Sequence, residues 1–270
     1  MAPSSLSPRA LVMGVLNVTP DSFSDGGRWL DPSAAVQRGL EMVAEGADVV
    51  DVGGESTRPG AIPVRPEEQI RRVVPVIQAL SGQTRVSIDT RSAEVAEAAV
   101  EAGATLINDV SASLWKVAAD RRVGWIAMHM LGDPLTMQDA PSYADVVSEV
   151  GGFLRSRAEE AQSAGVDEIW IDPGIGFGKT LEHNLALLRG IGEIVGLGWP
   201  VLVGTSRKGF LGALTAVDGA APVPDDRVEA SIATAVWSVL RGVRMVRVHD
   251  VRATVDAIRL MRAPVEEAVA

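Results

Sequence analysis

Eight polar residues, Asn17, Asp51, Asp89, Asn108, His129, Asp172, Ser206 and His249, lie at or just after the end of short apolar runs. A single polar residue in such a place often only caps the next helix or closes a turn. Eight of them make a different case if they meet on one rim. Buried carboxylates, amides and imidazoles without ligands would cost too much, so a shared pocket is the better explanation. The segments around them add means of holding an anion. Residues 51–60 read D-V-G-G-E-S-T-R-P-G, with close glycines, hydroxyls and an arginine, a composition suited to an oxyanion. Residues 14–27, G-V-L-N-V-T-P-D-S-F-S-D-G-G, form a long polar loop able to fold over a ligand. Arg247 and His249 are two apart at a strand end, so both side chains fall on one side of that strand.

The elements that must position these residues alternate along the chain. Strand patterns fall at Leu11–Val18, Ala47–Gly53, Arg85–Asp89, Thr105–Val110, Trp125–Met130, Glu168–Asp172, Val201–Gly204 and Met245–His249. Helical periodicity occupies Pro32–Glu45, Pro66–Leu80, Ala93–Ala102, Tyr143–Ala164, Leu181–Val195, Arg227–Arg241 and Val251–Met261. Ser113–Arg122 has room for only a short helix, and Asp218 to Pro224 reads as a surface loop. Eight strand–helix units in one α/β chain predict a parallel sheet closed as a (β/α)8 TIM barrel, whose strand C-termini share one face. A doubly wound open sheet is the alternative, but no G-x-G-x-x-G follows the first strand. No linker divides the chain, so residues 1–270 are read as one domain with a loose tail at 1–9.

Composition narrows the partners. With 25 Lys+Arg against 35 Asp+Glu, the net charge of −10 argues against nucleic acid and anionic membranes. It leaves room for a local cationic pocket. There are no cysteines, so thiolate metal sites and disulfides are excluded. The first ten residues lack a signal-peptide core, and no apolar run reaches membrane-spanning length, so a cytoplasmic location is expected.

Further segments complete the set: S-I-D-T-R at 87–91, I-N-D-V-S at 107–111, A-M-H-M at 127–130, D-P-G-I-G-F-G-K at 172–179, G-T-S-R-K-G at 204–209 and R-V-H-D at 247–250. In order and spacing the segments resemble the successive signatures of the dihydropteroate synthases, over residues 12 to 252. The resemblance implies a (β/α)8 barrel that depends on Mg2+. It implies condensation of 6-hydroxymethyl-7,8-dihydropterin pyrophosphate with p-aminobenzoate, releasing pyrophosphate. By that similarity Asp172 accepts paired donors of the pterin, Asn108 and Asp89 complete that edge, and Met128 and Phe177 wall it. Arg247 resembles the residue that stacks on the pterin face and reaches a phosphate. Lys208 resembles the lysine set between the pterin and the aminobenzoate.

Asn17 resembles the Mg2+ ligand, and Thr57, Arg247 and His249 the other pyrophosphate contacts. Phe23, Arg58, Pro59, Ser206, Arg207 and Lys208 resemble the aminobenzoate pocket. Asp89, Asp172, Lys208 and Asp25 are the residues expected to be catalytic. The expected reaction is SN1-like: the bond to pyrophosphate breaks, and the neutral arylamine attacks the resulting pterin cation. His129 is read as strand-end structure and His183 as a helix-face residue.

One region departs from the family: after N-D-V-S the chain reads A-S-L-W-K where a Gly and a longer segment are usual. A pterin-binding methyltransferase and a catalytically silent paralogue are the rival readings, and the intact loop-one, S-R-K and R-V-H segments oppose both. A homodimer is expected from the family, with the helices at Arg227–Arg241 and Val251–Met261 as its surface.

Overall fold

Short runs rich in Val and Ile make the strands, and stretches with a 3.6-residue period make the helices that cover them. The computed structural model describes residues 9–19, 32–56 and 63–262. Its strands are β1 (Leu11–Asn17), β2 (Val49–Gly53), β3 (Arg85–Asp89), β4 (Leu106–Asp109), β5 (Gly124–Met128), β6 (Ile169–Asp172), β7 (Leu202–Val203) and β8 (Met245–Val248). All neighbours pair in parallel, in the order β6-β5-β4-β3-β2-β1-β8-β7. A single bridge between Ile171 and Val201 joins β6 to β7 and nearly closes the ring. The expected TIM barrel is therefore the observed fold, and the open doubly wound sheet is not. The loose tail expected at 1–9 falls almost wholly outside the described residues.

The helices are α1 (Pro32–Glu45), α2 (Pro66–Leu80), α3 (Ala93–Glu101), α4 (Trp115–Arg121), α5 (Val146–Ser163), α6 (Leu181–Arg189), α7 (Ile191–Val195), α8 (Gly209–Leu214), α9 (Val228–Leu240) and α10 (Val251–Arg262). Three differ from the sequence reading. The pattern at Leu181–Val195 is two helices that meet at Gly190, where α5 packs close enough that a Cβ would sit 2.9 Å from Val147 Cγ2. The α5 helix starts three residues late, at an Asp145 cap whose Oδ1 accepts the amides of Val147 and Ser148. The short α8 helix follows the S-R-K segment and was not read from the sequence.

Side chains two apart along a strand share a face, and this sorts the barrel interior into layers. Met13, Val49, Leu106, Ile126, Trp170, Leu202 and Met245 form one buried cluster filling the lower half. Two residues further along the same strands stand Val15, Asp51, Asn108, Met128, Asp172, Gly204 and Arg247. The interior thus turns from apolar to polar within one pleat. At the lower mouth Arg85 grips Glu168 at 2.6 and 2.8 Å, and Trp170 Nε1 donates to the same carboxylate at 2.7 Å.

The shortened segment after Asn108 is held by one residue. Asp109 is fully buried and accepts the amides of Ser111, Ser113 and Leu114 at 2.9, 2.7 and 2.6 Å, and Trp125 Nε1 at 3.1 Å. The chain turns there through Ala112 at φ 49°, a left-handed conformation that glycine adopts more cheaply. Replacing Asp109 by Ala would strip those buried donors of their acceptor. We expect Asp109→Ala to lose about 3 kcal/mol in urea unfolding, since each orphaned buried group costs roughly 1–3 kcal/mol. An unchanged urea midpoint would show that the carboxylate is dispensable.

Candidate active site

The polar layer is organised by Arg247. Its side chain runs from β8 across the barrel, where Nε donates to Asp51 Oδ2 at 2.6 Å and Nη2 to Asp89 Oδ2 at 2.7 Å. Asn108 Nδ2 donates to Asp51 Oδ2 at 2.9 Å. The parallel register brings these residues together by setting Gly53 beside Asp89 and Asp89 beside Asn108. Asp51, Asp89, Asn108 and Asp172 are all buried. Burial pushes the Asp89 carboxyl above its usual range; Arg247 draws it back and Asp51 pushes it further up. Burial likewise raises Asp172, against the pull of Lys208. Burial would lower Arg247, but Asp51 and Asp89 outweigh it and hold the guanidinium charged.

Four buried atoms in this layer have no hydrogen-bond partner: Asp51 Oδ1, Asp89 Oδ1, Asn108 Oδ1 and Ser87 Oγ. Orphans at this density are rare in native interiors and call for a donor from outside the chain. Asp172 stands at the end of β6, its Oδ1 accepting the Gly174 amide at 2.8 Å. Met128, its register partner on β5, adds an apolar wall. Lys208 Nζ lies 4.5 Å from the centre of the Phe177 ring and donates to Ile175 O. Burial depresses Lys208 to about 8, opposed by Asp172.

Around this centre lie Asn17, Ser206 and His249. Asn17 ends β1, with Oδ1 3.6 Å and Asp89 Oδ2 3.8 Å from where a Gly53 Cβ would be. The Asn17 amide oxygen is a hard donor, which fits a Mg2+ ion that takes its other ligands from water and phosphate. Among the described residues no group of three His, Cys, Asp or Glu side chains could hold a metal alone. Ser206 Oγ meets His249 twice, at the backbone amide (3.1 Å) and at Nδ1 (3.0 Å). Arg207 adopts φ 60°, and its guanidinium reaches Asp250 at 2.6 and 3.1 Å and Asp225. Its side chain is therefore taken up by carboxylates of the chain itself. Phe23, Asp25, Thr57, Arg58 and Pro59 lie outside the described residues.

The sequence reading placed Asp51 on the rim without assigning it a role; the structure makes it the shared acceptor of Arg247 and Asn108. The signal was present in its spacing two residues after Val49. Lys179 was missed: it is buried, its Nζ lies 3.0 Å from His129 Nδ1, and burial pushes it down to about 7. His129 is buried against Phe153 and its pKa falls to about 3 through burial, in keeping with a structural part. His183 goes beyond a helix-face position: its Nδ1 accepts the Thr180 amide in a capping box at the start of α6.

The family described as "Pterin binding enzyme" matches residues 13–249. The dihydropteroate synthase of Mycobacterium leprae (strain TN) is 50% identical over 269 residues, covering 96% of this chain and 94% of that protein. The solved Xanthomonas albilineans dihydropteroate synthase with 4-aminobenzoic acid aligns with a TM-score of 0.87 and 47% identity over 95% of each chain. The Yersinia pestis dihydropteroate synthase with a sulfonamide drug complex aligns with a TM-score of 0.86 and 41% identity over 93% of each chain.

The chain contains only three lysines, Lys116, Lys179 and Lys208, so amine chemistry reads Lys208 without ambiguity. An amine acylates when neutral, so its reactivity grows as pH rises through its pKa. Pulsed acetic anhydride labelling followed by mass spectrometry should show Lys208 modification rising through about pH 8. A midpoint near the ordinary lysine value of about 10.4 would show that burial does not tune this residue.

Proposed function

The chain belongs to the pterin-binding enzymes and, among them, to the dihydropteroate synthases, and from that premise we propose how its own residues carry out the reaction. The enzyme condenses 6-hydroxymethyl-7,8-dihydropterin pyrophosphate with p-aminobenzoate, giving 7,8-dihydropteroate and pyrophosphate. The observation that carries our reading is the set of orphaned acceptors, Asp51 Oδ1, Asp89 Oδ1 and Asn108 Oδ1, inside the barrel mouth. The rim of a dihydropterin is rich in N–H donors and can supply what they lack. Asp172 takes the amino-pyrimidinone fork, Asn108 and Asp89 take the remaining edge, and Met128 and Phe177 line the faces.

In this reading Arg247 has two tasks. Its charge draws the Asp89 carboxyl back against the rise that burial causes, and its outer face stacks on the pterin and meets the departing pyrophosphate. His249, held through Ser206, contacts the same anion. Where Mg2+ is bound, Asn17 would hold it, and the ion would supply charge that stabilises the leaving group. Loss of pyrophosphate leaves a pterin cation, which the Asp89 and Asp172 carboxylates stabilise. The aminobenzoate nitrogen is already neutral and needs only orientation, by Lys208, Ser206 and, outside the described residues, Phe23, Asp25, Thr57, Arg58 and Pro59. A methyl transfer would use neither Asn17 nor His249 in these parts.

We place the reaction in the cytoplasm; no helix among the described residues is long and apolar enough to cross a membrane. We also propose a homodimer through α9 and α10. Trp237 and Leu240 on α9 and Leu260 on α10 are exposed apolar side chains on that surface. Sedimentation should give a dimer for the parent chain and a monomer for Leu240→Glu combined with Leu260→Glu. A parent chain that sediments as a monomer at micromolar concentration would refute the interface.

The central test is pyrophosphate release with both substrates and Mg2+. Activity should require all three and disappear with a chelator. Asp172→Asn puts an NH2 where the pterin donors meet, at a cost of roughly 1–3 kcal/mol, or about 5- to 150-fold in pterin affinity. The protein should stay folded by circular dichroism. Unchanged pterin affinity by calorimetry would remove Asp172 from the site.

A further inference from the structure

Every backbone carbonyl from Gly174 to Gly178 is taken by a side-chain donor. Lys179 Nζ donates to Gly174 O at 2.9 Å and to Phe177 O at 3.0 Å. Lys208 Nζ donates to Ile175 O, Gln138 Nε2 to Gly176 O at 2.9 Å, and Tyr143 Oη to Gly178 O at 2.9 Å. Among these donors Lys179 alone lies inside the turn, with 3% of its surface exposed. It is also 3.4 Å from His129 O and 3.0 Å from His129 Nδ1. Its partners are therefore three carbonyl oxygens and one imidazole, all neutral. A buried amine in such a cage draws the carbonyls of separate peptide units to one point through its hydrogen bonds.

The turn is tight enough to need that anchor. Gly174 and Gly178 adopt φ 61° and 63°, and Cβ atoms there would lie 1.8 Å from His129 O and 2.5 Å from Leu131 O. The turn is thus pressed against the end of β5. What it presents on its other side is the site. The Gly174 amide orients Asp172, the Phe177 ring lies 4.5 Å from Lys208 Nζ, and Ile175 O accepts from that same amine.

We infer that Lys179 is a positioning residue: its caged amine holds the 173–178 turn in the shape that presents Asp172 and Phe177 to the pterin, without touching the substrate. The functional half of this inference rests on the pterin reading above. Lys179→Met keeps the apolar stem and removes every donor. It should weaken binding of 6-hydroxymethylpterin at least tenfold and speed amide hydrogen exchange at residues 174–178, while exchange in β1 to β4 stays as in the parent. Lys179→Ala opens space for the missing stem and ammonium, so added propylammonium should restore both pterin affinity and slow exchange. Propylammonium should do nothing for Asp172→Asn.

Wild-type pterin affinity in a folded Lys179→Met protein would overturn the inference. So would weakened binding with unaltered exchange at 174–178. If Lys179→Met fails to fold, Lys179→Ala decides: no recovery with propylammonium counts against the cage, and recovery supports it. A parent chain that does not bind 6-hydroxymethylpterin sinks the functional reading, while the exchange and propylammonium measurements still judge the cage by themselves.

Discussion

Asp51 is completely buried, and its Oδ2 accepts from the Arg247 guanidinium at 2.6 Å. Taking one ion of such a pair away leaves the other uncompensated in a poorly solvated place, which is far more costly than never having built the pair. Because Arg247 also reaches Asp89, a single cation holds two acidic groups on neighbouring strands. The polar half of the barrel depends on that arrangement. Asp51 in turn holds Asn108, so three strands besides β8 have a side chain set by one guanidinium. The pair does not satisfy everything it gathers. The second oxygens of Asp51 and Asp89 remain without partners, and the interior is left matched to a ligand rich in N–H groups.

The two ends of the barrel solve the same problem in different ways. At the lower end a buried apolar cluster fills the interior, and Arg85 and Trp170 both satisfy Glu168. Little is left over there, and that end reads as stability. At the upper end carboxylates are pushed up and the Lys208 amine pushed down by burial. Such opposed shifts in one cavity mark a place where charge is poised for a ligand. Stability given up at the upper mouth is compensated by the packed layer beneath it.

The connections after the strands follow the same division. The turn after β4 is closed by Asp109, whose carboxylate gathers three amides and an indole. The turn after β6 is closed by donors, Lys179 foremost, and its geometry is transmitted to Asp172. The turn after β7 is strapped to β8 through Ser206, His249 and the Arg207–Asp250 pair. Each needs its backbone groups satisfied away from regular structure, which explains why polar side chains crowd these loops.

Most of the architecture was legible in the sequence because it is set by local period. Apolar runs of strand length alternating with helical patterns can bury their faces only as a wound parallel sheet, and residues such as Asp89, Asn108 and Asp172 at the run ends had to share one rim. Even the abbreviated helix after Asn108 could be read from the short spacing to the next strand. What the sequence could not decide was which polar groups partner one another. Asp51 and Arg247 are 196 positions apart, and only closing the sheet brings β8 within reach of β2. Lys179 looked like one more residue of a glycine-rich motif until the turn folded its amine inward onto His129, 50 positions earlier. Gly190 could have been a tolerated helical glycine; in the fold it ends α6 and starts α7, and Val147 of α5 leaves no room there for a side chain. Periodicity determines which face a residue occupies, whereas hydrogen-bond partners are chosen by three-dimensional proximity, and that was decided by the tertiary structure alone.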